Sequence, residues 1–539
     1  MTPPQALPAL RAPARSLESI LTARWARVLI PSLSDLFFLA ILVWLFMSSG
    51  AAGWQGLLVD ADAGWHIRTG QYILDHHAVP HQDLYSFSKP GAPWFAWEWG
   101  SDVIFGWLQR VAGLKGVVLL TGVMIAGFSL TLIRRMMWRG VHLFVALAVA
   151  LLAVGSASIH FLARPHIFTL LFLSVAVWMV ESDRENQSSR IWLLVPLTIV
   201  WTNLHGGFLV LIALLGLCAV GTALEAWSAK ETWGGLWWRS AGRYAALAGA
   251  CAAASLVNPY GYHLHVHMAA YLRSDWIKSV IQEFMSPIFR DENMMQFEVL
   301  LMVGLITAGA LLRRKRIVEA LWIVFFAHMA LASARHVPIY VTVVAPVVAY
   351  EVAGWWKAWT HGAAKKSLPA IFNQMAADSA QWFRRTSIWP FAVVGGLALT
   401  GAPIPWPQDF PEMTFPTRIV QAHAAEILSS RVLTTDQWGD YLIYVNPQQK
   451  VFVDGRSDFY GPETGNQYLR LVNGGPDWRD LLHKYDFNLV LLPKELAIVQ
   501  LLQTQPEWSV TADDGKRILL VRTPASVPAT GDSRPEPRF

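Results

Sequence analysis

The sequence predicts a polytopic α-helical membrane protein, with about eleven transmembrane helices and a small C-terminal α/β domain on its outer side. Three observations predict it. Of 539 residues, 54% are hydrophobic and only 15% are charged, and the mean hydropathy is +0.35; soluble chains carry ~25% charged residues. Apolar runs of bilayer length recur from residue 34 to residue 403. Beyond residue 404 they give way to short strand-like and helix-like patterns in alternation.

A helix needs ~20 largely apolar residues to cross the hydrocarbon core. Such runs lie at 34–52, 114–133, 141–158, 163–181, 190–204, 206–226, 242–257, 294–312, 317–333, 337–354 and 388–403. Arg11, Arg15, Arg24 and Arg27 precede the first run, which has no small-residue cleavage site and so reads as a retained span rather than a signal peptide. Lys and Arg in short loops mark the cytoplasmic side. The later basic groups are Arg134, Arg135 and Arg139; Arg184 and Arg190; Lys230, Arg239 and Arg243; residues 313–316; and Lys357, Lys365, Lys366, Arg384 and Arg385. With eleven spans every group falls on one side, whereas a single missed span would invert all later ones. The N-terminus is then cytoplasmic and the C-terminal domain extracytoplasmic.

The transmembrane region thus covers 1–403, with a first outer loop at 53–101. An amphipathic basic segment at 355–387, carrying Trp355, Trp356, Trp382 and Phe383, reads as lying along the inner surface. Pro-rich APIPWPQDFPE opens a linker, 404–429. In the domain at 430–522, RVLTT, KVFVDG, FNLVLLP and RILLVR read as strands between helices at 436–445, 463–473, 477–485 and 494–504, an α/β pattern. The tail, 523–539, has a disordered composition. Cys218 and Cys251 sit inside apolar runs, so no disulfide framework is indicated. The pI near 9.1 reflects topology, since the basic residues form no groove-like cluster for nucleic acid.

The chemically unusual residues fall on the outer side. The first outer loop begins DADAGWHIRTG and closes on PWFAWEWG, gathering Asp60, Asp62, His66 and Glu98. A carboxylate pair can take a proton from an acceptor or hold a divalent cation; an exposed acidic turn has the same D-x-D spacing. Residues 64–78 have helical apolar spacing and read as a short interfacial helix. Arg164 and His166 open one span and Arg335 and His336 another. The Arg fork suits phosphate, although snorkelling to headgroups also places Arg at helix ends. Asn203 and His205 occupy a tight WTNLHGG turn, and the 258–293 loop supplies Glu283 and Lys278. His263, His265 and His267 alternate, but no partner pair follows at zinc spacing. In the C-terminal domain Asp436 fits a helix N-cap and Asp454-Gly455 a turn; the alternative is that this face, with Trp438, Arg456 and Asp458, caps the outer cavity.

Together these stretches resemble bacterial membrane glycosyltransferases of the GT-C superfamily, which includes protein mannosyltransferases and the aminoarabinose lipid A transferase. The likeness runs through DADAGWHIRTGQYIL, PWFAWEWGSDVIF, ARPHIFTLLFL, WTNLHGGFLV, NPYGYHLH, ARHVPIYV and GDYLIYVNPQQKVFVDGRSDFYG. The resemblance implies a bacterial cytoplasmic-membrane enzyme using a polyprenyl-phosphate-linked sugar donor at the outer face, with direct displacement at the anomeric carbon onto an envelope acceptor. It assigns the base, or acceptor-orienting group, to Asp62 or Asp60, Asp62 being nearer Trp65-His66. It assigns the donor phosphate to Arg164 and Arg335. Some members use a divalent cation such as Mg or Mn, for which Asp60 and Asp62 would be the ligands. Two other classes fit a polytopic chain: a transporter or flippase of lipid-linked saccharides, and a non-catalytic scaffold of envelope assembly. A transporter calls for polar groups at the bilayer midplane and an internal repeat, and the sequence has neither; a scaffold leaves the residues of 60–100 unexplained.

Overall fold

The structure, a computed structural model, describes residues 28–47, 53–291, 293–364, 366–383, 385–400 and 404–523. The basic N-terminal stretch, Lys365, Arg384 and the tail from residue 524 lie outside them. Among the described residues fifteen α-helices precede the C-terminal domain: α1 Leu33–Met47, α2 Asp62–His76, α3 Trp99–Trp138, α4 Leu143–Ala157, α5 His166–Glu185, α6 Leu194–Leu204, α7 Phe208–Ser228, α8 Leu236–Ala254, α9 Tyr262–Arg273, α10 Asp275–Val280, α11 Met294–Arg313, α12 Ile317–Ala332, α13 Val337–Trp359, α14 Leu368–Phe383 and α15 Trp389–Leu399. Within the described residues every apolar run read from the sequence overlaps a helix. Among the described residues six segments are long and apolar enough to cross a membrane: Trp99–Trp138, Leu143–His160, His166–Glu185, Phe208–Ser228, Met294–Arg313 and Ala334–Trp359. α1, α12 and α15 are apolar but shorter.

Helix α3 runs past the expected 114–133 span because a second helical segment precedes it. The two join at Gly113, whose φ of 65° and ψ of −163° break the helix, a conformation open to a residue without a Cβ. At the helix ends remote from the 53–101 loop, basic residues are ion-paired to buried carboxylates. Arg135 grips Glu181 through two hydrogen bonds of 2.6 and 2.7 Å, and Arg184 reaches Glu225 at 3.3 Å. Such pairing lets charge sit among packed helices without an uncompensated desolvation cost.

Helix α2 departs from the expected interfacial helix. Ala63, Gly64, Trp65, His66, Ile67, Thr69 and Gly70 are all buried, because α2 is enclosed between α3 and the C-terminal domain. Glycine permits both approaches. A Cβ on Gly70 would run into the Asp102 carbonyl of α3, and one on Gly106 would meet the Gly70 backbone. On the opposite side, a Cβ on Gly64 would strike the carbonyl of Asp440.

The C-terminal domain holds a four-stranded sheet, β1 Val432–Leu433, β2 Leu489–Pro493, β3 Trp508–Asp513 and β4 Arg517–Arg522, in the order β1-β2-β4-β3. β1 and β2 are parallel; β4 is antiparallel to both its neighbours, with Val490 opposite Leu520. Its helices are α16 Thr417–Ala422, α17 Ala424–Leu428, α18 Asp436–Val445, α19 Ser457–Val472, α20 Trp478–Lys484 and α21 Ala497–Leu502. Residues 404–429 are more than a tether: Phe410 and Phe415 are buried against Tyr441. The expected strand KVFVDG lies outside the sheet. Val451 instead pairs with the first outer loop, accepting from Phe87 N–H and donating to the Tyr85 carbonyl, both at 2.9 Å. The strand at 508–513 was not expected, as only Trp508 on it is buried.

Candidate active site

A cavity of about 790 Å³ opens where the first outer loop, the turns before α5, α7 and α13, the 258–293 loop and residues 455–458 of the C-terminal domain meet. Of the residues singled out from sequence, Asp62, His66, Glu98, Arg164, His166, His205, Glu283, Arg335 and His336 line it. Asp60 stands behind Asp62. Asn203 does not reach the cavity; its Oδ1 accepts from Trp99 Nε1 at 2.8 Å and its Nδ2 donates to the Ile199 and Val257 carbonyls. The WTNLHGG turn therefore uses Asn203 to tie helix ends together.

One wall is a charged group centred on Arg164. Its guanidinium meets Asp60 Oδ2 at 2.9 Å, Asp62 Oδ2 at 2.8 Å and Glu283 Oε2 at 3.6 Å. Asp60 Oδ1 accepts the Asp62 N–H at 2.9 Å, which sets the turn between them. Three carboxylates share one guanidinium, so burial outweighs the attraction of Arg164 and raises Asp62 to about 7, with Asp60 and Glu283 adding to the rise. Burial also opposes the charge on Glu283, but Arg335 and Arg164 overcome it and hold that carboxyl far below the usual range. Arg335 Nη1 is 3.5 Å from Glu283 Oε1 and its guanidinium lies over the Phe284 ring at 4.5 Å. The 282–284 turn that carries Glu283 is pinned to the α12–α13 turn by Ser333 Oγ donating to the Glu283 carbonyl and Ala334 N–H to that of Met285.

A second wall is a chain of imidazoles and carboxyls. His66 Nδ1 lies 2.5 Å from Asp102 Oδ1, and its Nε2 is 3.6 Å from Glu98 Oε2. Glu98 Oε1 is 3.5 Å from His205 Nε2. His205 Nδ1 receives the Gly207 N–H at 3.0 Å and the Thr169 hydroxyl at 2.7 Å, while Thr169 Oγ1 accepts from Trp201 Nε1. The Gly207 N–H can only donate, so Nδ1 is the acceptor and the neutral His205 carries its proton on Nε2, facing Glu98. Burial raises Glu98 to about 8, against the pull of Arg164 and Arg335. Burial, aided by Arg335 and Arg164, lowers His205 to about 3. His66 is likewise held well below the usual imidazole range by burial and then by Arg164 and His205. Across the cavity His166 Nε2 donates to the His160 carbonyl at 2.5 Å.

The C-terminal domain closes the cavity. Gly455 N–H donates to Asp440 at 3.0 Å, and a Cβ there would collide with Asp62 Oδ1 and Asp440 Oδ2. Burial and the neighbouring Asp62 drive the Asp440 carboxyl up. Arg456 is buried under Trp94 and Tyr85, bonded to Asp454 at 2.7 and 2.8 Å and to Asp83 at 2.8 Å. Asp458 Oδ2 meets His267 Nε2 at 2.9 Å. The sequence patterns do not single out Asp102, Asp440 or Thr169. Only Asp102 had a local signal, four residues after Glu98 at the start of a helix and hence on its face.

His265 turns instead to Ser255 Oγ at 2.8 Å, away from His267. Asp60 and Asp62, the ligands considered for a divalent cation, each commit an oxygen to Arg164. Among the described residues no group of three or more His, Cys, Asp or Glu side chains is arranged to hold a metal ion. The residues as arranged do not fit a bound cation.

No family model matches the sequence, and no curated protein matches it. Among solved structures the chain is similar to the oligosaccharyltransferase of Archaeoglobus fulgidus, in its apo form with a TM-score of 0.52 and 11% identity. It is similar also to the same organism's enzyme in complex with an inhibitory peptide and a dolichol-phosphate, with a TM-score of 0.53 and 11% identity. Each match covers 86% of this chain and 69% of that one. At this identity the likeness is one of fold. The chain shares that fold over most of its length.

Proposed function

We propose that the protein is a membrane glycosyltransferase that moves a sugar from a polyprenyl-phosphate-linked donor to an envelope acceptor at the outer face of the bacterial cytoplasmic membrane. In this reading the apolar runs make eleven crossings, the N-terminus is cytoplasmic and the domain at 430–522 is an extracytoplasmic roof. The observation that carries the reading is the division of one cavity into two chemistries. Asp62, Glu98 and the imidazoles of His66 and His205 all line it and can hold hydroxyls. Arg335, Lys278 and His336 also line it and suit an anionic phosphate. Leu209, Val210, Phe325, Phe326 and Met329 continue the cavity as an apolar arm fit for a prenyl chain. A dolichol-phosphate bound to the archaeal neighbour is in keeping with such a donor.

Asp62, fixed by Asp60 and Arg164, orients the acceptor nucleophile and takes its proton. The nucleophile attacks the anomeric carbon directly, with inversion. The bond to the phosphate oxygen breaks, and its electron pair leaves on a phosphate that Arg335 stabilises. The test is a transfer assay with radiolabelled polyprenyl-phosphate sugars and an envelope extract, with and without EDTA. Label passes to an acceptor with the native chain, and Asp62→Asn lowers the rate by roughly 10²-fold or more while its thermal unfolding stays cooperative. Vectorial movement of the lipid across proteoliposomes with no covalent product would replace this reading by transport.

A further inference from the structure

The Arg164 side chain stands where an oxygen-ligated cation would stand. Asp60 and Asp62 come from the first outer loop and Glu283 from a loop more than two hundred residues later, yet all three turn a carboxylate oxygen to the same guanidinium, at 2.9, 2.8 and 3.6 Å. Carboxylate oxygens converging from separate loops are the ligand set of a hard divalent ion, which would have to lie within ~2.0–2.6 Å of them. That space is held by Nη1 and Nη2. A guanidinium keeps its charge at every accessible pH and presents its donors in a fixed plane. It is also covalently tethered, and so cannot be removed by a chelator. Asp60 is doubly committed, since its other oxygen accepts the Asp62 amide.

We infer that Arg164 is a built-in cation, replacing a divalent metal ion as the centre that gathers Asp60, Asp62 and Glu283, and that this chain works metal-free. The statement about transfer rests on the function proposed above; the statement about metal binding does not. Two consequences separate them. The native chain binds no Mn2+ at this site, and removing the guanidinium without its carboxylates creates a site for one.

The experiment is a Mn2+ titration of the detergent-solubilised full chain, followed by electron paramagnetic resonance and thermal unfolding. Native protein and Arg164→Lys, which keeps one tethered charge, are expected to show no site-bound Mn2+ and no Mn2+-dependent change in Tm. Arg164→Ala is expected to gain a single bound Mn2+ and a Tm that rises with Mn2+ and falls again with EDTA, and to lose both when Asp62→Asn is added. Should Arg164→Ala be recoverable only from Mn2+-containing buffer, that dependence is the same gain. Native protein that holds Mn2+ as tightly as Arg164→Ala would overturn the inference, as would an Arg164→Ala chain that folds and gains none. In the transfer assay EDTA leaves the native rate unchanged; a rate abolished by EDTA and restored by Mn2+ also overturns it. Absence of transfer from every donor would sink the proposed function alone, leaving the titration to decide the metal question.

Discussion

Glu98 is enclosed by His66 and His205 with no cation in direct contact, and burial lifts its carboxyl to about 8. The sign of the resulting pH dependence follows. An unfolded Glu titrates near ~4.3, so the folded chain holds a proton that the unfolded chain loses between about 4.3 and 8. That contribution to stability is complete below the unfolded value and is lost as pH rises to the folded one. Glu98→Gln removes the slope. Its Tm is expected to match or exceed that of the native chain by a margin that grows from pH 5 to pH 8, on the order of a few kcal/mol in stability; parallel profiles would contradict the assignment. Among the described residues Arg335 makes only long polar contacts, at 3.4 Å to the Tyr271 hydroxyl and 3.5 Å to Glu283. Arg335→Lys keeps the charge and loses the fork, so KM for the lipid donor is expected to rise about tenfold with a smaller change in kcat, as read in the same transfer assay. At this scale residue type was informative for Arg164 and Glu283, because charge near a membrane surface is costly unless used. It was uninformative for Asn203, whose amide satisfies helix ends as readily as a ligand.

The α2 helix acquires its role from two glycine contacts. Gly70 packs on Gly106 of α3, and that crossing brings His66 to Asp102. Gly70→Ala drives a Cβ into the Asp102 carbonyl, a backbone atom that cannot rotate away, and is expected to cost about 1–3 kcal/mol in thermal or denaturant unfolding. Gly455→Ala acts differently. Its Cβ meets the Asp62 and Asp440 side chains, which can move, so transfer is expected to fall well before stability does. Both glycines lie in quoted motifs, yet neither contact could be read from them. The helical spacing of Trp65, Ile67 and Ile73 announced a helix; the glycine opposite each neighbour is visible only once the neighbour is known. The KVFVDG segment makes the same point for strands. Its alternation is real and Val451, Phe452 and Val453 are buried, but its hydrogen bonds go to residues 85 and 87 of the distant first loop.

Across the whole molecule, the C-terminal domain and the first outer loop are one structure. Gln437 Oε1 accepts the Ala61 N–H at 2.9 Å, Arg68 Nε donates to the Tyr444 carbonyl at 2.8 Å, and Arg456 is paired with Asp83 inside an aromatic cage. A chain ending after residue 404 would leave Asp83 and Tyr85 without these partners and the cavity without its roof. Such a truncation is expected to remain in the membrane, to lose transfer and to become protease-sensitive within residues 80–98, which limited proteolysis with mass mapping reports. The sequence by itself determined the membrane class, the positions of the apolar helices, the strand and helix alternation of the C-terminal domain and the clustering of acids, imidazoles and Arg residues in the loops and turns that meet at the cavity. These are local quantities, set by composition and by periods of two and 3.6 residues. Only the tertiary structure decided that Arg164 gathers three carboxylates, that Glu98 lies between two imidazoles, that Asn203 is structural and that residues 455–458 close the cavity. Each depends on a contact between residues far apart in the chain, and no local pattern encodes the partner on the other side.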